Sequence, residues 1–121
     1  MYSEALLELF HNPRHKGALA GFSRRSRREN PVCGDVLELS ACVTDGMATQ
    51  LGFQARGCPP VLAAAEWVCR WGTGKPIKEV MALSEEVLET GLGGLPRNKR
   101  HALSICLEAV AEICREESEG V

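Results

Sequence analysis

The stretch from Asp35 to Arg56 constrains this chain more than any other. In Asp35-Val36-Leu37-Glu38-Leu39-Ser40-Ala41-Cys42-Val43, the side chains of Leu37, Leu39, Ala41 and Val43 share one parity, while Glu38 and Ser40 take the other. Successive residues of a strand face opposite ways, so this alternation predicts a strand with one covered and one wet face. Asp45-Gly46 is a strong hairpin signal. The return run, Met47 to Arg56, repeats the pattern with Leu51, Phe53 and Ala55 inward and Gln50, Gln54 and Arg56 outward. The expected product is an antiparallel meander.

Helical patterns flank it. Over residues 3–11, Ser3 is a good N-cap and Leu6, Leu9 and Phe10 share a face. Asn12-Pro13 ends that helix, because a residue before proline is pushed out of the α region. Residues 14–31 hold Arg24, Arg25, Arg27 and Arg28 among glycine and proline breaks, which predicts an irregular loop and one solvated edge strand. Pro59-Pro60 suits the first turn of a helix. Val61, Ala64, Ala65, Val68 and Cys69 then form a buried stripe, and Trp67 and Trp71 read as packing residues. Two short helices follow over 77–83 and 84–90, the second capped by Ser84. Asn98 is expected to cap a last helix over about 99–117, with Ala102, Ile105, Cys106, Ala109 and Ile113 on one face. The order predicts a single α+β domain over 1–121, a small antiparallel sheet of two to three strands with helices packed on one face.

A net charge of -2 offers no strong field for nucleic acid or an anionic membrane, and the arginine run lacks interleaved aromatic residues. No apolar run approaches the ~20 residues a membrane helix needs. Met1-Tyr2-Ser3-Glu4 does not open a secretory signal, so a cytoplasmic location is expected. The chain has six cysteines and no CxxC pair, which excludes zinc-ribbon and thioredoxin-like frameworks. In a reducing compartment such thiols serve core packing, metal or sulfur chemistry. Cys42, Cys69, Cys106 and Cys114 fall on apolar stripes and read as core thiols.

Four other residues stand at element ends. Cys33 and Asp35 lie at the mouth of the first strand, Cys58 sits in Gly57-Cys58-Pro59-Pro60, and His101 opens the last helix. Taken singly, each has an ordinary reading: a turn with a buried thiol, a loop, a polar surface histidine. Together, two thiols, a carboxylate and an imidazole could fill a four-coordinate metal site. Asp35 shares parity with Leu37, so it faces the covered side, where a carboxylate needs a partner or a metal. Cys58 precedes a helix N-terminus, where thiolate is favoured.

Read together, these residues resemble the U-type iron–sulfur cluster scaffold family (IscU, SufU and the N-terminal domain of NifU). Tyr2-Ser3 and Asn12-Pro13-Arg14 followed by Gly17 look like its N-terminal signature. Asn30-Pro31-Val32-Cys33-Gly34-Asp35 looks like the loop of its first cysteine and aspartate, and Phe53 to Cys58 like the strand before its second cysteine. Leu95-Pro96, Lys99 and His101 resemble the approach to its third cysteine. The resemblance implies a carrier rather than an enzyme. Such a carrier receives sulfur from a cysteine desulfurase, builds a [2Fe–2S] cluster on three cysteines and the aspartate, and passes it to acceptor proteins. It also implies that zinc can occupy the same pocket with the histidine as a ligand.

Carried over, Cys33, Asp35, Cys58 and His101 match, but Ala102 stands where the third cysteine belongs. Cys106 lies one turn beyond, about 6 Å farther along the helix, and reads as core. Pro59-Pro60 and Leu95-Pro96-Arg97-Asn98-Lys99 also depart from the family pattern. Two alternatives stand beside the scaffold reading. One is a degenerate, zinc-stabilised interaction module. The other is an enzyme with Cys58 as nucleophile and His101 as base.

Overall fold

The computed structural model describes residues 2–17, 19–31 and 34–119, the last four through the backbone alone. Asp45 and Gly46 both take positive φ, 52° and 75°, as a two-residue type I′ turn requires. That turn folds β2 (Asp35–Thr44) back onto β3 (Met47–Arg56), pairing Leu39 with Phe53 and Val36 with Arg56. A bulge between Cys42 and Val43 shifts the register near the turn. The edge strand β1 (Arg24–Asn30) pairs antiparallel with β2, giving a three-stranded sheet in the order β1-β2-β3.

All five α-helices support one face of this sheet or each other. They are α1 (Glu4–His11), α2 (Pro59–Gly72), α3 (Ile77–Met81), α4 (Glu85–Gly91) and α5 (His101–Glu119). Ser3 and Ser84 cap α1 and α4 through their hydroxyls, as expected. Leu37, Leu39, Ala41, Leu51 and Phe53 form the covered sheet face, buried with Val61 and Val68 of α2 and Leu103, Cys106 and Ile113 of α5. The alternation therefore marks the core correctly.

Three expectations need correction. Asn98 does not cap the last helix: Pro96 opens a 3-10 turn over Arg97–Lys99, and α5 starts only at His101. Proline's fixed φ starts that turn. Cys42 is not a core thiol. It points to the sheet's other face, half-buried, with its Sγ 3.7 Å from the Gly21 carbonyl. The arginine run is not wholly solvated either, since Arg24 is buried and donates to the Ile113 and Cys114 carbonyls at 3.1 and 3.3 Å. With Ser26 Oγ donating to Ala109 O at 2.9 Å, these bonds fasten β1 to α5.

The free edge of β3 is closed by segments that are not strands. Near its end, Phe53 N–H donates to His15 O and Gly17 N–H donates to Phe53 O, at 3.0 and 2.6 Å. Gly52 makes this possible, because a Cβ there would crowd the Gly17 carbonyl and Leu19. Near its start, Ala48 exchanges backbone hydrogen bonds with Gly74 and Lys75. An exposed edge would be a template for other strands, and both ends of this one are covered.

The first of these segments is held by a charge that sequence reading missed. Glu66 is fully buried in α2. Its carboxylate accepts the backbone N–H groups of Arg14 and His15, both at 2.9 Å, and contacts His15 Nδ1 and Arg70 Nε at 2.8 Å. Burial pushes the Glu66 carboxyl up, but the bonds from His15, Arg70 and Arg14 outweigh it and hold the group below its ordinary value. A carboxyl lowered on folding adds stability above its unfolded pKa, and that contribution is lost as pH falls through the folded value. Stability should therefore decline as pH drops below 4.5, the ordinary value. Glu66→Gln should cost about 2–3 kcal/mol at neutral pH and flatten the acid limb, as read from urea midpoints across pH.

Candidate metal centre

The hairpin register sets the site. Pairing of Val36 with Arg56 puts Asp35, at the start of β2, beside Gly57 and Cys58, just past the end of β3. Asp35 is 2% exposed, on the covered side that its parity predicted. Gly57 has φ 152°, and a Cβ on it would overlap the Asp35 carboxylate, so only glycine allows this approach. Cys58 is the N-cap residue of α2, but its side chain makes no capping bond and is free to point elsewhere. His101 is the first residue of α5.

The three side chains meet. Asp35 Oδ1 accepts the Cys58 backbone N–H at 3.1 Å, and Asp35 Oδ2 lies 2.9 Å from His101 Nε2. Cys58 Sγ is 3.5 Å from that same nitrogen and 4.0 Å from Asp35 Oδ2. One oxygen, one sulfur and one nitrogen thus lie within 4.8 Å of one another, the spacing of donors around a single ion. Oxygen, sulfur and imidazole nitrogen are all donors that zinc and iron accept. Cys33 lies outside the described residues.

The contact of Cys58 Sγ with His101 Nε2 is the one a Cys-His pair needs, whereas an oriented Cys-His-Asp relay needs one ring nitrogen on the thiol and the other on the carboxylate. Here His101 Nε2 faces both. A shared nitrogen is what convergence on one central ion produces.

The expectation of a thiolate at Cys58 also needs revision. Burial pushes its thiol above the ordinary 9.0, and the Asp35 charge adds to this, against the Val61 N–H and the Lys99 ammonium, which favour thiolate. The helix N-terminus is present but does not dominate. Among the described residues, the other thiols stay apart from the converging donors: Cys69 and Cys106 are fully buried, and burial raises Cys106 to about 12. Ala102 is also fully buried and brings no donor.

Comparison with known proteins follows this geometry. Residues 1–115 match the NifU-like N terminal domain, and the chain belongs to that family. It is 30% identical over 110 residues to the iron-sulfur cluster assembly scaffold protein IscU 1 of Archaeoglobus fulgidus, covering 91% of this chain and 72% of that protein. It is 32% identical over 103 residues to the nitrogen fixation protein NifU of Azotobacter chroococcum, covering 83% of this chain and 33% of NifU. The fold is similar to the N-terminal part of a NifU-like protein from Brucella abortus, with TM-score 0.82 at 17% identity over 98% of this chain and 95% of that one.

Two outcomes test the centre. Gly57→Ala should displace the Asp35 carboxylate and weaken Zn²⁺ binding by about tenfold, measured against a chromophoric chelator, while the circular dichroism spectrum is kept. Each ligating thiol must give up its proton to the metal, so Cys58 alone should contribute about tenfold in Zn²⁺ affinity per pH unit through neutrality. Cys58→Ser should lower the slope by about that one factor of ten per unit.

Proposed function

We propose that this chain is an iron–sulfur cluster assembly scaffold, a cytoplasmic single-domain carrier without catalytic chemistry of its own. Its cargo is iron or a [2Fe–2S] cluster, held by Cys33, Asp35, Cys58 and His101 and passed to acceptor proteins. A cysteine desulfurase is the matching sulfur source. One observation carries this reading: Asp35, Cys58 and His101 converge in a member of the NifU-like N-terminal domain family. Among the described residues no helix is long and apolar enough to cross a membrane, which agrees with a carrier that works in solution.

Ala102 sets the character of the site. Iron–sulfur clusters take thiolates by preference, and imidazole in place of thiolate raises the cluster's potential. Cys106 does not supply the missing sulfur, because it is buried and stands outside the converging donors. His101 must serve instead. The same substitution favours a second reading, a zinc-holding interaction module, since the donors that remain satisfy zinc without a cluster.

Anaerobic reconstitution with ferrous iron and sulfide separates the two. The wild-type chain should develop charge-transfer absorption that bleaches in air roughly tenfold faster than that of Ala102→Cys, and Cys58→Ser should develop little. Equal lifetimes for wild type and Ala102→Cys would show that the missing cysteine is immaterial. If neither takes up a cluster while both retain zinc, the zinc module is the correct reading.

A further inference from the structure

The helix-facing side of β1 breaks the pattern that the rest of the sheet follows. β2 turns Leu37, Leu39 and Ala41 toward the helices. The β1 residues opposite them in the register are Arg28, Ser26 and Arg24. Arg24 and Ser26 are 6% and 4% exposed, yet polar. All three reach α5. Arg24 Nη1 donates to the Ile113 and Cys114 carbonyls, Ser26 Oγ donates to Ala109 O, and Arg28 Nη2 lies 3.6 Å from Glu112 Oε2. An apolar stripe here would bury more favourably, because polar groups must first be stripped of water.

What hydrogen bonds add is direction. Apolar packing presses a helix onto a sheet without fixing its place along its own axis, and packed helices slide by about 1–2 Å between arrangements. Bonds from one strand to carbonyls on two turns of α5 resist both slide and roll. Ala109 and Ile113 lie eight and twelve residues past His101, about 12 and 18 Å along the axis. A rigid helix carries any slide at those turns to its first residue.

His101 needs a fixed place. Its Nε2 lies 2.9 Å from Asp35 Oδ2 and 3.5 Å from Cys58 Sγ, and that sulfur is 4.0 Å from the oxygen. A tetrahedral zinc ion, with bonds of about 2.0–2.3 Å, spaces its donors about 3.3–3.6 Å apart. The three donors therefore stand within about 0.5 Å of a ligating set, and a 1 Å slide of α5 would take the imidazole out of it. The Asp35–His101 bond does not hold the helix once an ion is bound, since both atoms then turn to the ion. The bonds from β1 remain.

We propose that Arg24 and Ser26 are positioning residues for the metal centre, which set the axial place of α5 and so hold His101 for ligation. This gives the buried part of the arginine run a task, and it rests on the reading of Asp35, Cys58 and His101 as an ion-binding set.

A mutant cycle through His101 tests the proposal separately from that reading. Zn²⁺ affinity is measured against a chromophoric chelator, and Co²⁺ supplies a ligand-field spectrum. The chains are wild type, Ser26→Ala, Arg24→Met and the two combined, each with and without His101→Ala. With His101 present, Ser26→Ala should weaken Zn²⁺ binding about threefold and the combined variant about tenfold. The Co²⁺ bands of the combined variant should move toward those of His101→Ala. Without His101, the same substitutions should change affinity by less than about twofold, although the melting temperature falls in both backgrounds. Equal losses in both backgrounds would show a merely structural role and overturn the proposal, as would no loss in either. Ser26→Ala decides the matter if Arg24→Met does not fold, because Ala109 O keeps its partner within the helix. A wild-type chain that binds neither ion would remove the centre itself, and this inference with it.

Discussion

The antiparallel pairing of Val36 with Arg56 is the constraint on which the candidate site depends. It makes residues far apart in sequence into neighbours, so that a carboxylate at one strand's start meets a thiol just after the other strand's end. The contact is too close for any side chain at Gly57. Once the register is fixed, α2 leaves the sheet at Cys58, whose own N–H meets the Asp35 carboxylate. The third group, His101, comes from α5, which β1 holds in place through Arg24 and Ser26. Every strand and the two long helices therefore contribute to one small volume.

Putting Asp35 in that volume has a cost that its neighbours offset. A carboxylate with 2% exposure would be unfavourable alone. The Cys58 N–H and the His101 ring meet its two oxygens separately. The three converging side chains are thus held in place by their own hydrogen bonds. The same principle operates at Glu66, where the bonds are permanent and the result is structural rather than functional. Both buried carboxyl groups are hydrogen-bonded, Glu66 by a fixed network and Asp35 by the Cys58 N–H and the His101 ring.

Much of the fold was legible because burial has a period. Leu37, Leu39, Leu51 and Phe53 announced the covered face, and Asp45-Gly46 announced the turn. The convergence of Asp35, Cys58 and His101 was legible because they stand at element ends in a pattern shared with a family. What was not legible is physically distinct. Cys42 had the parity of Ser40, but its apolar character invited a core reading that the strand's alternation did not support. Glu66 drew no reading from the sequence, because the Arg14 and His15 N–H groups that hold it come from a distant part of the chain. Its one local signal was an acid inside the apolar run Ala63-Ala64-Ala65-Glu66-Trp67-Val68 with Arg70 four residues on. The thiol state of Cys58 depends on the balance of burial against a helix end, which only coordinates provide.

The two covers on the β3 edge differ in when they exist. Residues 15–17 precede β3 in the chain, so the Phe53 end can be sealed as soon as that strand is made. Gly74 and Lys75 follow the whole of α2. At synthesis rates of about 5–20 residues per second, the Ala48 end stays bare for roughly one to several seconds longer. During that interval the nascent hairpin has one guarded end and one open end. The growing chain is thus most vulnerable to strand pairing with a neighbour on the same messenger while α2 is being added, and the vulnerability closes from the turn side once Lys75 emerges.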